Sequence, residues 1–137
     1  MEKERIIERQ RLENGMELVL YDRSRIMVGD RWVVDLHCEA FIPINDSYWD
    51  AVAAEDPQHL AAIKGMLGGE LVFSSHKKRN FVAAAEREKV FQEMVQQVYD
   101  GMLEYLKKPN FPQRLFKKKY DEVRRKILIR QAMNQTE

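Results

Sequence analysis

Apolar and polar residues alternate most clearly along residues 31–44, RWVVDLHCEAFIPI. A period of two puts Trp32, Val34, Leu36, Cys38, Ala40 and Ile42 on one side and Arg31, Val33, Asp35, His37, Glu39 and Phe41 on the other. The first set is wholly apolar and predicts the core face of a strand. The second is mixed and carries Asp35, His37 and Glu39 in a row. Pro43 ends or edges this strand, because proline cannot donate to a ladder.

Upstream, Met16, Leu18 and Leu20 alternate with Glu17, Val19 and Tyr21 behind Asn14-Gly15. Asn-Gly between extended segments predicts a type I′ hairpin, pairing residues 10–13 with 16–22. The competing reading makes residues 3–13 a helix capped by Asn14-Gly15. Residues 22–30, DRSRIMVGD, read as a connection with turn residues at both ends. An antiparallel three-strand meander follows.

Beyond Pro43 the period changes. Ser47, three residues before Asp50, predicts a short helical segment capped by the serine hydroxyl. Asp56-Pro57 predicts a helix start, with Asp as N-cap and Pro at the first helical position. Leu60, Ile63, Met66 and Leu67 then recur at helical spacing until Gly68-Gly69, as expected for a crossover lying on one face of the sheet. Residues 70–82 read as a further strand with a basic far end.

Over residues 84–108 an apolar stripe through Phe91, Met94, Val95, Val98, Met102, Leu103 and Leu106 predicts a long amphipathic helix. Pro109 and Pro112 break it. A second helix is predicted over residues 112–131, with Phe116, Tyr120, Val123 and Ile127 inward.

Strands followed by helices predict a single α+β domain over residues 1–137. Its small, mostly antiparallel sheet of about four strands packs against a C-terminal helical hairpin, with a short helix before the last strand. Residues 1–9 are expected as a flexible lead-in and 132–137 as a frayed tail.

Composition adds constraints. The chain is 45% hydrophobic and 33% charged, with a net charge of +1, so the whole announces neither nucleic acid nor membrane. No apolar run approaches a membrane span, and the charged N-terminus lacks the apolar segment of a secretion signal. The expected location is cytoplasmic, with no membrane partner. The single cysteine, Cys38, excludes an internal disulfide framework and a four-cysteine zinc site; it is expected as a buried thiol.

Four constellations could carry chemistry. Asp35, His37 and Glu39 project side by side at about 6.6 Å per two-residue step, a spacing that suits part of a metal site or an acid/base pair. Remaining ligands would come from elsewhere, with His76 or His59 as candidates. The alternative is a polar sheet surface facing solvent.

A second constellation is basic. Residues 107–130 hold ten Lys and Arg against Asp121 and Glu122, in a chain of net +1. Lys117, Lys118, Lys119, Arg124, Arg125 and Lys126 would form an anion or nucleic-acid face. Against this stand the i,i+4 pairs Asp121–Arg125 and Glu122–Lys126, and the acids of 46–56 and 86–104, which offer partners within the fold or across a dimer.

Third, Ser74 and His76 share a strand face, but no nucleophile elbow accompanies them, and a lysine-guarded strand edge accounts for them.

Fourth, Arg5 and Arg9, spaced R-x-x-x-R, with Asp22 and Ser24, spaced D-x-S, resemble the pattern of PilZ domains, small β-barrels that bind cyclic di-GMP. The resemblance implies that the arginines would stack on bases and grip phosphates. It covers Arg5 to Ser24 only: position 27 is Met where the pattern has Gly, and the nearest glycine is Gly29.

No phosphate-binding loop, dinucleotide fingerprint, zinc-finger spacing or EF-hand loop is present, and Gly68-Gly69 precedes a strand rather than a helix. No cofactor and no catalytic residue are assigned. The expected role is a non-enzymatic interaction or assembly module acting as a homodimer, with Tyr48 and Trp49 as candidate interface residues. Nucleic-acid binding by the basic helix is the alternative. A cyclic-dinucleotide site or a metal site on the central strand is a lesser one.

Overall fold

In a computed structural model, the described residues run from Glu4 to Gln135. The chain is α+β, with an antiparallel sheet of five strands: β1 (Arg5–Arg11), β2 (Glu17–Asp22), β3 (Arg25–Val28), β4 (Arg31–Pro43) and β5 (Glu70–Ala83). The central strand is β4. Of its predicted apolar face, Val34, Leu36, Cys38 and Ala40 are buried and Trp32 and Ile42 half-buried, while Val33 and Asp35 of the other face are buried as well.

β2 and β3 are two halves of one arm. Asp22 faces Leu36 and Arg25 faces Val33, so the register on β4 is the same on both sides of Arg23-Ser24. The Arg23 N–H donates to the Asp35 carbonyl at 2.9 Å within the break and keeps that register. β1 pairs with β2, and β5 lies along the other edge of β4.

Residues 22–30 are therefore not a plain connection. Asp22 Oδ1 accepts the Ser24 N–H at 2.9 Å, and Ser24 Oγ accepts the Asp35 N–H at 3.0 Å. The D-R-S segment is a side-chain-satisfied kink, after which the strand resumes. The turn itself sits at Gly29, whose φ of 56° is left-handed.

The first hairpin forms at Asn14-Gly15, but with longer strands and a different turn. β1 begins at Arg5, so the expected lead-in forms a strand from there, and no helix forms over its described residues; residues 1–3 lie outside the described ones. Only Gly15 has positive φ, 93°, and Gly15 N–H donates to the Leu12 carbonyl at 3.0 Å. That is a three-residue loop closed by a left-handed glycine rather than a type I′ turn. Asn14 is occupied elsewhere: its Nδ2 donates to the carbonyls of Leu106 (2.7 Å) and Lys108 (2.9 Å), satisfying groups at a helix C-terminus.

The chain divides into two compact units. One comprises the residues up to Phe41 with Val72–Pro109; the other comprises Ile42–Leu71 and the residues from Asn110 onward.

In the first unit the predicted helix over 84–108 is segmented. Helix α3 covers Arg87–Gln97, a π-helical turn Val98–Met102, and a short helix α4 Leu103–Leu106. Phe91, Met94, Val98 and Leu106 of the predicted stripe are buried, together with Val90. The wider turn shifts the helical phase and keeps Val98 and Leu106 both inward.

In the second unit α1 (Asp46–Val52) is capped by Asn45, not Ser47: Asn45 Oδ1 accepts the Ser47 N–H at 3.0 Å. A 3₁₀ turn, Pro57–His59, leads into α2 (Leu60–Leu67), which ends at Gly68 with φ 75°. The long helix α5 (Phe111–Gln135) packs against α2. Phe116 centres its aromatic core, with ring centroids 5.3 Å from Tyr48, 5.0 Å from Trp49 and 6.2 Å from Tyr120. Of the predicted inward set, Phe116 and Tyr120 are buried, and Val123 and Ile127 half-buried. Helix continues through Gln135, beyond the 112–131 expected, so residues 132–135 of the expected tail are helical; residues 136–137 lie outside the described ones.

Candidate functional site

The mixed face of β4 is built by cross-strand pairing. Tyr21 of β2 faces His37 and Val19 faces Glu39, so directly opposed side chains share that face. The rings of Tyr21 and His37 lie 5.8 Å apart, tilted by 42°. Burial first, then the Glu39 carboxylate, raises the Tyr21 phenol above its ordinary pKa.

His37 Nε2 is 3.8 Å from Glu39 Oε1, too long for a hydrogen bond. Burial and the nearby Arg23 guanidinium, with a contribution from His76, hold the imidazole below its ordinary pKa. At neutral pH His37 is thus an uncharged imidazole, and its contact with Glu39 is not an ion pair.

Asp35 is buried, and its carboxylate takes the Arg25 guanidinium at 3.2 Å. The row from Asp35 to Glu39 is therefore neither open water nor a converging site. Asp35 is held by Arg25, and His37 sits against Tyr21. Among the described residues no group of three or more His, Cys, Asp and Glu is placed to hold a metal.

The residues of the cyclic-dinucleotide pattern also have partners across the sheet. Arg5 pairs with Asp22 at 3.0 Å and Arg9 with Glu17 at 3.1 Å. Asp22 and Ser24 also form the kink that joins β2 to β3.

The basic helix is partly neutralised by its own unit. Lys117 Nζ lies 2.5 Å from Glu55 and 3.1 Å from Asp121; the Glu55 bond, above all, raises its pKa. Arg124 Nε donates to Asp56 Oδ2 at 2.8 Å. Among the described residues the helix's own i,i+4 ion pair is thus Lys117–Asp121, not Asp121–Arg125 or Glu122–Lys126. Lys118, Arg125 and Lys126 are exposed and Lys119 is half-buried.

Tyr48 and Trp49 pack inside the same unit. Tyr48 is buried on Phe116, and Trp49 meets Phe116 edge-on while Lys64 lies 5.4 Å over its ring.

Sequence reasoning missed the network at Asp56. His59 Nδ1 lies 2.8 Å from Asp56 Oδ2, and His59 Nε2 lies 3.0 Å from Gln131 Oε1. An Asp-to-imidazole bond is the orienting half of a nucleophilic triad, but the third member here is an amide, which cannot attack. The signal was present as D-P-x-H, read only as a helix start. The lone thiol offers no alternative nucleophile: burial pushes Cys38 up to about 11.

The other feature with no counterpart in the sequence reading is the far half of α5. Its buried residues, Phe111, Pro112, Leu115, Phe116 and Tyr120, all lie in the first ten positions. Beyond them Leu128 and Ile129 are exposed, with Ile129 at 53%. They line a hollow of about 420 Å³ with Asp121, Arg124, Arg125 and Ala132. No helix among the described residues is long and apolar enough to cross a membrane. No family model, curated protein or solved structure matches the chain.

Proposed function

We propose that this chain is a non-catalytic interaction module that works as a homodimer joined through the C-terminal half of α5. One observation carries the reading: a 25-residue helix fully buries apolar side chains in its first ten positions, half-buries Val123 and Ile127 beyond them, and yet presents Leu128 and Ile129 outward. Positions 125, 128, 129 and 132 recur at i, i+3, i+4 and i+7, so Leu128, Ile129 and Ala132 form a short apolar stripe beside Arg125 that a second helix can cover. A twofold partner supplies the same stripe and buries both.

Two facts favour this over nucleic-acid binding by the same helix. Lys117 and Arg124 are already drawn to Glu55 and Asp56. Leu128 and Ile129 have nothing to offer a phosphate backbone. The lone reduced thiol agrees with a cytoplasmic setting for the module.

The test is mass in solution at micromolar concentration by light scattering. The wild type is expected as a dimer, and Leu128→Glu with Ile129→Glu as a monomer of unchanged far-ultraviolet circular dichroism. A monomeric wild type, or a variant that remains dimeric, overturns the reading. Binding to DNA or RNA that falls steeply with salt and is lost when Lys118, Arg125 and Lys126 are neutralised would replace it with the nucleic-acid reading.

A further inference from the structure

At one end of the sheet, two exposed chain segments lie side by side. The first is the tip of the β3–β4 hairpin, where every residue from Ile26 to Arg31 is exposed. The second is the end of β5, where Lys78, Arg79, Asn80 and Phe81 are all exposed. The Ala84 N–H donates to the Asp30 carbonyl at 2.8 Å and ties the end of β5 to the hairpin turn.

The apolar content of this end is high. Ile26 is 60% exposed, Val28 65% and Phe81 66%, with Met27 beside them. Scattered exposed apolar residues are ordinary, but adjacent ones on a hairpin tip mark an interaction surface.

Phe81 is the only non-glycine residue with positive φ among the described residues, at 58°. A bulky side chain in that region is strained, and burying the ring does not offset the strain here. Strain of this kind is held where surrounding structure dictates it, and it collects at functional surfaces.

Charge then selects the occupant. From Leu71 to Ala85 the chain has no acid and carries Lys77, Lys78 and Arg79. None of these three makes an ion pair among the described residues, whereas Asp30 and Arg31 offset each other at the tip. A second copy of this surface would bring like charges together. A nucleic acid would satisfy the cations and leave the aliphatic side chains in water. An anionic bilayer accepts both, with alkyl groups at the acyl boundary and cations at the phosphates, and needs no preformed pocket for a projecting tip.

We propose that the β3–β4 tip, with Lys78, Arg79 and Phe81, docks peripherally on an anionic phospholipid surface. Such docking requires no spanning segment, and it involves residues remote in sequence from the α5 stripe.

Co-sedimentation with vesicles tests it, using phosphatidylcholine alone and phosphatidylcholine mixed with phosphatidylserine. The wild-type chain is expected to bind the mixed vesicles, to release as salt rises, and to ignore the neutral ones. Lys78→Glu with Arg79→Glu is expected to abolish binding, and Ile26→Ser with Val28→Ser to weaken it at least tenfold. Met27→Ser gives a second, milder readout should the double serine variant fail to fold. Equal binding to both vesicle types, no binding to mixed vesicles, or full binding by the charge-reversed variant overturns the proposal. Retention on immobilised polyglutamate without vesicle binding overturns it in favour of an acidic protein partner. The α5 variants are expected to keep binding the vesicles, so the two proposals fail separately.

Discussion

Arg124 Nε donates to Asp56 Oδ2 across 2.8 Å, joining two residues 68 positions apart. The same carboxylate caps the turn that begins at Pro57 and orients His59. One side chain thus fixes a helix start, an imidazole and the middle of α5.

This arrangement sets an acid limit. The Arg124 bond, and then those from His59, hold Asp56 below its ordinary value of 3.8. A depressed folded-state pKa means that the unfolded chain binds the proton more tightly. The stabilisation is complete above pH 3.8 and is lost as pH falls below it. Asp56→Asn keeps a capping side chain but not the charge. Thermal melts are expected to show a lower Tm for the variant at neutral pH and a shallower fall below about pH 4. Parallel acid limbs would show that the Asp56 network contributes nothing.

Tyr120 is fully buried, and among the described residues its hydroxyl has no hydrogen-bond partner. A buried, unsatisfied hydroxyl costs about 1–3 kcal/mol. Tyr120→Phe leaves the ring stacked on Phe116 and removes the polar atom. Stability is expected to rise by about 1 kcal/mol in denaturant melts. A loss of similar size would show that the hydroxyl has a partner, such as an internal water.

Much of the fold was legible because it follows from local periodicity. The face from Val34 to Ala40 needed only a period of two, and Phe116 with Tyr120 only the helical period. The β3 strand was hidden because Asp22, Ser24 and Gly29 are all turn formers, and sequence does not say which turn they make. Here Asp22 and Ser24 bond to the backbone and carry the strand on; only Gly29 reverses the chain. The site residues were less legible because partner choice is tertiary. Asp35 reads as a ligand beside His37, but Arg25, ten positions earlier, takes it. Asp56 reads as a cap, and is one, but nothing local reveals Arg124.

The strain at Phe81 separates a functional surface from a packing accident. Left-handed backbone costs an ordinary residue about 1–2 kcal/mol, and asparagine tolerates it far better. If the exposed ring served packing, Phe81→Asn would lower stability, because its contacts would be lost along with the strain. If the ring is held outward for an external surface, the exchange relieves strain and forfeits little. Stability in denaturant melts is then expected to hold or rise by up to about 1 kcal/mol. Affinity for vesicles containing phosphatidylserine is expected to fall in the same variant. A gain in stability with a loss of binding is the signature of strain maintained for function. A variant that is less stable and binds as well as the wild type would make Phe81 a structural residue and remove it from the docking surface.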